Sequence, residues 1–226
     1  MNLDYLHNLD FGIAWEYRRA ILSGLQVTLL YFVLAGMLGM IGALLLVFAG
    51  RSSFRLVRWL AIAFVEVFRN TPLFVQLIWV HFALPGFTGV DLSLFESSSL
   101  VLSLNAAAYM SEIVRAGIDA VPRGQWEACH ALGVKPYITW SRIVLPQAFR
   151  LILPTLANLM VSLLKGTSIL SIISVAELMR MTTRISTHTA RPVEMLTISA
   201  LLYFIVGLIV LKGFSILEKR TTLRTS

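Results

Sequence analysis

Charged residues and cysteines are scarce in this sequence of 226 residues. Asp, Glu, Lys and Arg make up 14% of the chain, whereas 57% is hydrophobic and the mean hydropathy is +0.78. Soluble globular domains carry about 25% charged residues, so this composition excludes an ordinary soluble protein and indicates a membrane protein. The single cysteine, Cys129, excludes an internal disulfide, and the spacing of the four histidines does not match any metal-ligand pattern. We therefore predict no metal site.

A nucleotide-binding loop is also missing. ATP binding by a phosphate-cradling loop needs the pattern G-x-x-x-x-G-K-[ST], which occurs nowhere in the sequence. The G-x-x-G-x-x-G pattern of Gly36, Gly39 and Gly42 lies inside an apolar run, where it favours helix packing. We predict that the chain is not an enzyme, has no catalytic residues and binds no cofactor of its own.

Five long apolar runs predict an all-α integral membrane protein with five transmembrane helices. The runs cover residues of about 22–49, 59–84, 99–118, 147–179 and 195–217. Each reaches the roughly 20 residues that a helix needs to cross the hydrocarbon core. The first run is longer than the core of a signal peptide and is followed by further spans, so we interpret it as a retained helix.

Basic residues predict how these helices are oriented. Cytoplasmic loops carry an excess of Lys and Arg, and the basic clusters lie between spans one and two, between spans three and four, and after span five. These clusters are Arg51, Arg55 and Arg58; Arg123, Lys135, Arg142 and Arg150; Lys212, Lys219, Arg220 and Arg224. The N-terminus, with a tail of about residues 1–18 that holds Asp4, Asp10 and Glu16, is then outside and the C-terminus inside. Arg180, Arg184 and Arg191 lie on the predicted outer side, which leaves a different topology open.

Polar residues interrupt the second and fourth spans. The second contains VEVFRNTPLFVQL, with Glu66, Arg69 and Thr71 among apolar neighbours, and such residues face a protein interior or a pathway. The alternative is a neutralising pair between Glu66 and Arg69, three residues apart, beside a proline kink. The fourth contains LLKGTSIL, where Lys165 next to Gly166 predicts a broken or re-entrant segment.

The third span carries a polar stripe. Asn105, Tyr109, Glu112 and Asp119 recur at helical spacings and share one face, while Ala106, Ala107, Ala108 and Ser111 permit close helix approach. Glu66 and Glu112 each lie eight residues from the predicted cytoplasmic end of their helix, a depth of roughly 12 Å at 1.5 Å per residue. We expect both carboxylates to line one cavity.

The loop between spans three and four reads EACHALGVKPYITWSRIVLP. Its pattern predicts a helix over 126–132 capped by Gly133, a turn at Lys135 and Pro136, and a second short helix over 137–144 that ends at Pro146. The physics of this hairpin fits an interfacial amphipathic element as well as a docking element.

This loop resembles the EAA motif of bacterial ABC-importer permeases. The motif residues are Glu127, Ala128, Gly133, Ile143, Leu145 and Pro146, with Cys129 in place of the second alanine. FRNTPLFVQL, AAAYMSEIVRAGIDAVPRGQWEA and KGTSILSIISVAELM resemble segments of the polar amino acid permease branch.

The resemblance implies a type I ABC importer permease fold, with residues 1–226 as one transmembrane domain and a cytoplasmic coupling loop of about 121–146. It implies a multi-pass location in the bacterial inner membrane and, for 147–179, one span followed by an irregular external segment with a short helix. The implied partners are a dimer of cytoplasmic ATPase subunits that bind ATP and Mg²⁺, a second permease chain, identical or paralogous, an external amino acid-binding protein, and the lipid bilayer. Nucleic acid is not implied.

The expected function is import of polar L-amino acids coupled through the EAA loop. Candidate path residues are Glu66, Arg69, Thr71, Asn105, Tyr109, Glu112, Arg115 and Lys165. The two glutamates are candidates for the substrate ammonium group and the two arginines for its carboxylate, although structural roles are an equal alternative. An ion-coupled secondary transporter, which usually shows inverted repeats that we do not find here, and a non-transporting assembly subunit are the other function classes.

Overall fold

The structure, a computed structural model, describes residues 9–222 and is 86% helical. The α-helices are α1 Ile13–Glu16, α2 Arg18–Gly50, α3 Arg55–Asn70, α4 Leu73–Ile78, α5 Leu84–Thr88, α6 Leu94–Asp119, α7 Arg123–Ala131, α8 Pro136–Ile138, α9 Leu145–Gly166, α10 Leu178–Thr189 and α11 Pro192–Thr222. Two π-helical segments, Trp79–Ala83 and Thr139–Val144, and one 3₁₀ segment, Thr167–Ile173, join neighbouring helices. The all-α prediction is confirmed. Part of the predicted outer tail, including Asp4, and the basic Arg224 lie outside the described residues.

Three continuous helices are long and apolar enough to cross a membrane, and a bent pair of helices is a fourth candidate. The three are Arg18–Gly50, Pro136–Ile173 and Pro192–Thr221, and the pair is Arg55–Asn70 with Leu73–Thr88. The predicted third span lies in α6, whose 26 residues extend about 39 Å at 1.5 Å per residue. Its polar stripe makes this helix less apolar than the other spans, so the fifth span stays a prediction.

The second predicted span is broken, not merely kinked. α3 ends at Asn70, and the chain bends by 108° before α4 begins at Leu73. Pro72 has no N–H and a fixed φ, here −61°, and it drives Thr71 to an extended conformation with ψ 139°. The continuous helix expected over 59–84 is therefore wrong.

The structure of region 147–179 corrects one further expectation and agrees with another. The chain at Lys165 and Gly166 is neither broken nor re-entrant, because the helix continues as a 3₁₀ segment to Ile173 and ends at Ser174 in the left-handed conformation. One span followed by a short helix, α10, agrees with the resemblance.

The second short helix of the loop does not end at Pro146, as we predicted. Pro146 lies just after the π segment, and the helix runs from α8 through that segment into α9.

The described chain forms two compact units. The first contains residues up to Gly36, Pro72–Leu102 and Ser162–Leu208, and the second contains Met37–Thr71, Ser103–Val161 and the residues from Ile209. The core of the first unit consists of Ile13, Ile21, Leu178, Ile185 and Met195. The core of the second consists of Val47, Val114, Ile118, Val121, Val144, Ala148 and Ile152. The second unit holds the coupling loop and all candidate path residues except Lys165.

Candidate functional site

Close packing of α2 on α6 fixes the position of the polar stripe. A Cβ atom added at Gly39 would lie 2.7 Å from Cβ of Ala106, and one added at Gly42 would lie 2.8 Å from Cβ of Ala107. The two helices therefore approach so closely that glycine on α2 faces alanine on α6 with no room for another methyl group, as the small residues predicted.

The polar stripe of α6 faces the last turn of α3. Asn105 Nδ2 donates to the carbonyl oxygen of Phe68 at 3.4 Å, and the Tyr109 hydroxyl donates to the carbonyl oxygen of Arg69 at 3.1 Å. These carbonyl groups lie at the end of α3, where a helix leaves its last acceptors without intrahelical partners. Asn105 and Tyr109 therefore satisfy the broken end of the second span.

A chain of ion pairs connects α2, α3 and α6, and we call its five residues the charge ladder. Arg51 Nη2 lies 2.9 Å from Asp119 Oδ1, and Arg115 Nη1 lies 3.3 Å from Asp119 Oδ2. Arg115 Nη2 lies 2.8 Å from Glu112 Oε2, and Arg69 Nη1 lies 3.3 Å from the same oxygen. The five side chains are partly exposed, so each pair contributes modestly, at roughly 0–1 kcal/mol.

The pair expected between Glu66 and Arg69 does not form. Arg69 pairs with Glu112 of α6 instead, and its guanidinium carbon lies 5.9 Å from the centre of the Tyr109 ring. The Glu66 carboxylate accepts a hydrogen bond from Asn70 Nδ2 at 2.8 Å. Glu112 also accepts two hydrogen bonds from the Arg115 guanidinium, from Nε at 3.0 Å and from Nη2 at 2.8 Å.

A cavity of about 430 Å³ lies beside the ladder in the second unit. Its lining is Leu46, Val47, Gly50, Arg51, Ala61, Ile62, Val65, Glu66, Ser111, Glu112, Arg115 and Asp119. Glu66 and Glu112 thus line one cavity, as their matched depth predicted. Arg69, Thr71, Asn105 and Tyr109 support the end of α3 and are not part of the lining, and Lys165 is exposed in the first unit. The Thr71 hydroxyl donates to the Val67 carbonyl oxygen at 2.7 Å.

The coupling loop presents its motif residues on a short helix. α7 leaves Glu127 and Ala128 exposed and buries Cys129. The helix ends at Ala131, two residues before Gly133, whose φ of +63° is a left-handed conformation that favours glycine. The Val134 N–H donates to the Cys129 carbonyl oxygen at 2.9 Å and closes this helix end.

Two tryptophans position this helix against the next one. The ring of Trp126 in α7 meets the ring of Trp140 edge to face, with centroids 5.1 Å apart. Of the remaining motif residues, Ile143 is half-buried, whereas Leu145 and Pro146 are exposed. The buried side of the hairpin therefore packs on its own unit, and the motif surface is left open.

Residues 35–222 match the family described as binding-protein-dependent transport system inner membrane component. The chain belongs to this family. The permease is 39% identical over 202 residues to the arginine transport system permease protein ArtQ of Bacillus subtilis strain 168, over 89% of this chain and 92% of that protein. It is 36% identical over 208 residues to the glutamate/aspartate import permease protein GltK of Escherichia coli O6:H1, over 89% and 93% of the two chains.

Solved structures agree with this assignment. The permease matches a chain of the crystal structure of an amino acid ABC transporter with histidines at a TM-score of 0.88 and 35% identity, over 94% of this chain and 99% of that chain. A chain of the inward-facing MetNI methionine ABC transporter matches at a TM-score of 0.76 and 16% identity, over 91% and 98%, which shows the fold. The permease therefore has the type I ABC importer fold and is a multi-pass inner membrane subunit. ATP hydrolysis belongs to a separate ATPase, and a binding protein is the other partner.

Sequence reasoning missed a buried acid in the first unit of the permease. Glu177 is 0% exposed and caps α10 by accepting from the N–H groups of Met179 at 2.9 Å and Arg180 at 2.6 Å. The Tyr203 hydroxyl donates to the same carboxylate at 2.7 Å, and the Thr28 hydroxyl at 3.4 Å. An acid inside the apolar run 147–179 was the available signal, because such residues face a protein interior.

Arg51 was also overlooked as a site residue, since it counted only toward topology, and it lines the cavity. At the other end of α6, Ser93 and Glu96 form a reciprocal cap. The Ser93 N–H donates to Glu96 Oε2 at 2.8 Å, and the Glu96 N–H donates to Ser93 Oγ at 3.2 Å. Hydrogen bonds from Ser93 hold the pKa of the Glu96 carboxyl below its usual value.

Proposed function

We propose that this permease forms the membrane path of an importer for polar L-amino acids. Support comes from the relatives, since the names of ArtQ and GltK assign them to arginine transport and glutamate/aspartate import. The observation that carries the proposal is the cavity, which brings carboxylates and guanidinium groups together in one chamber. A zwitterionic substrate needs partners of both signs.

The proposed path residues are the eight named from the sequence, and they fall into three groups. Glu66, Glu112 and Arg115 line the cavity, whereas Arg69, Thr71, Asn105 and Tyr109 hold the end of α3 beside it. We propose that a glutamate of the cavity binds the substrate ammonium group and that an arginine binds its carboxylate. Lys165 is proposed to contact substrate elsewhere on its route.

The proposed coupling surface is formed by Glu127, Ala128, Cys129, Gly133, Ile143, Leu145 and Pro146. The exposed small side chain of Ala128 lets a partner backbone approach closely, and Glu127 adds one charge that orients the contact. We propose that two ATPase subunits, which bind ATP and Mg²⁺, move α7 of this chain and of a second permease chain, identical or paralogous. The two permease chains then rock between inward and outward access.

The test is ATP-dependent uptake by liposomes that contain the permease, its ATPase and its binding protein. Radiolabelled polar amino acids are expected to accumulate only when ATP is supplied on the ATPase side. Uptake that needs no ATPase and follows an ion gradient would overturn the proposal in favour of a secondary transporter.

The coupling surface has its own test. Glu127→Lys is expected to lower uptake per ATP hydrolysed, because it reverses the one acidic charge of α7, which is exposed. Glu16→Lys makes the same charge change on exposed α1 and serves as the matched control. Equal effects of the two variants would remove Glu127 from the coupling surface.

A further inference from the structure

The two glutamates of the cavity differ in how fully their charges are engaged. Glu112 receives Arg115 Nε on Oε1 at 3.0 Å and Arg115 Nη2 on Oε2 at 2.8 Å, and Arg69 Nη1 lies 3.3 Å from Oε2. A carboxylate that already faces two guanidinium groups gains little from a third cation. Glu112 therefore has a structural role, since its ion pair with Arg69 joins α3 to α6.

The Glu66 carboxylate has a single hydrogen-bond partner among the described residues, and that partner is a neutral amide. Its side chain accepts one hydrogen bond, from the Asn70 amide, and it has no ion pair within residues 9–222. The other acids of the cavity, Glu112 and Asp119, are both in the ladder. Glu66 is thus the one cavity carboxylate, among the described residues, that carries an unneutralised negative charge.

The ladder has the opposite imbalance. Arg51, Arg69 and Arg115 carry three positive charges, and the ladder carboxylates of Glu112 and Asp119 supply two negative ones. One positive charge is left on the ladder and one negative charge on Glu66, and both adjoin the same chamber. The two uncompensated charges have opposite signs, as do the ammonium and carboxylate ends of a zwitterion.

We propose that Glu66 is the residue that binds the α-ammonium group of the substrate, and that Glu112 is a positioning residue that holds the ladder. This inference rests on the proposed function, since it assigns roles within the same site. A volume of about 430 Å³ is in the range of small-molecule pockets, roughly 300–1,000 Å³. The Asn70 amide orients the Glu66 carboxylate by its hydrogen bond.

The test measures binding directly to the purified permease–ATPase complex in lipid nanodiscs, without the binding protein, which would impose its own selectivity. Competition titrations at up to millimolar concentrations compare L-glutamine with glutaramic acid, the same molecule without its ammonium group. The native complex is expected to bind L-glutamine about tenfold more tightly, the effect of one charge-assisted hydrogen bond.

Glu66→Gln is expected to abolish this preference by weakening L-glutamine about tenfold and leaving glutaramic acid unchanged. Glu66→Asp keeps the charge and is expected to retain part of the preference for L-glutamine. Glu16→Gln changes an exposed acid on α1 in the same way and is expected to retain the whole preference. Glu112→Gln is expected to preserve the ratio and to lower the thermal stability of the complex. A preference that survives Glu66→Gln, or one that Glu112→Gln removes, would overturn the assignment.

Uptake by the complete transporter separates this failure from failure of the proposed function. Amino acid uptake together with an unchanged preference in Glu66→Gln refutes the role of Glu66 alone. If the complete system shows no ATP-driven uptake of any polar amino acid, the proposed function is refuted.

Discussion

Placing one methyl group at Gly39 should separate α2 from α6. The new Cβ would lie 2.7 Å from the Ala106 Cβ, whereas carbon atoms pack at about 3.5–4.0 Å, so the helices must move apart by roughly 1 Å. Overpacking of this kind costs about 1–3 kcal/mol. Replacing a helical glycine by alanine returns up to about 1 kcal/mol through helix propensity. Gly39→Ala should therefore destabilise the protein by about 1 kcal/mol, which lowers the unfolding midpoint by roughly 2–4 °C.

A double-mutant cycle isolates the contact from other effects. Ala106→Gly removes the methyl group that Gly39→Ala meets and should restore stability, whereas Ala107→Gly should not. The pairing reverses for Gly42→Ala, whose methyl group would meet Ala107. The assay is the thermal unfolding midpoint of the purified permease–ATPase complex in detergent, with Gly213→Ala as control because nothing lies within 4 Å of that site. Equal rescue by both alanine-to-glycine changes would refute the proposed packing.

Three further predictions concern the coupling helix, the buried acid and the ladder. Gly133→Val forces a β-branched residue into a φ of +63°, a backbone strain of about 1–2 kcal/mol. Uptake per ATP hydrolysed in liposomes should therefore fall more than it does for Gly124→Val. Glu177→Ala should destabilise the permease by about 2–3 kcal/mol, measured by thermal unfolding, because it removes the cap of α10 and the Tyr203 hydrogen bond; an unchanged midpoint would contradict this role. Arg51→Gln should cost less than about 1 kcal/mol, since its pair with Asp119 is half-exposed, and a larger loss that persists at high salt would contradict the reasoning.

Helix positions could be predicted wherever apolar length alone decides them. α2 and α11 follow from runs that only a lipid or a protein interior can accommodate. The glycine and proline pattern also located the short helix of the loop and the glycine that follows its end, because only a few residues tolerate a positive φ. In these segments the local chain determines its own structure.

Contacts between distant segments were harder to predict. Pro72 and Thr71 predict a disturbance in the second span, but the 108° bend depends on what receives the freed carbonyl groups. The Tyr109 hydroxyl does so from 40 residues away. The spacing of Glu66 and Arg69 likewise favours a local pair, and the competing carboxylate of Glu112 lies on another helix. Sequence spacing describes one helix at a time, so it placed Glu66 and Glu112 at one cavity but misassigned the partner of Arg69.

The π-helical segments have a consequence for how the chain can change in length. A π turn closes its hydrogen bonds from i to i+5, one residue more than an α turn, so Thr139–Val144 and Trp79–Ala83 each store one surplus residue inside a continuous helix. Deletion of one residue there can be absorbed by conversion to α geometry, and every later residue keeps its face. The same deletion in the middle of α6 would rotate all later side chains by about 100° and turn the ladder away from its partners. Natural length variation should therefore accumulate at these two turns, and the helices that carry the cavity should keep a constant length.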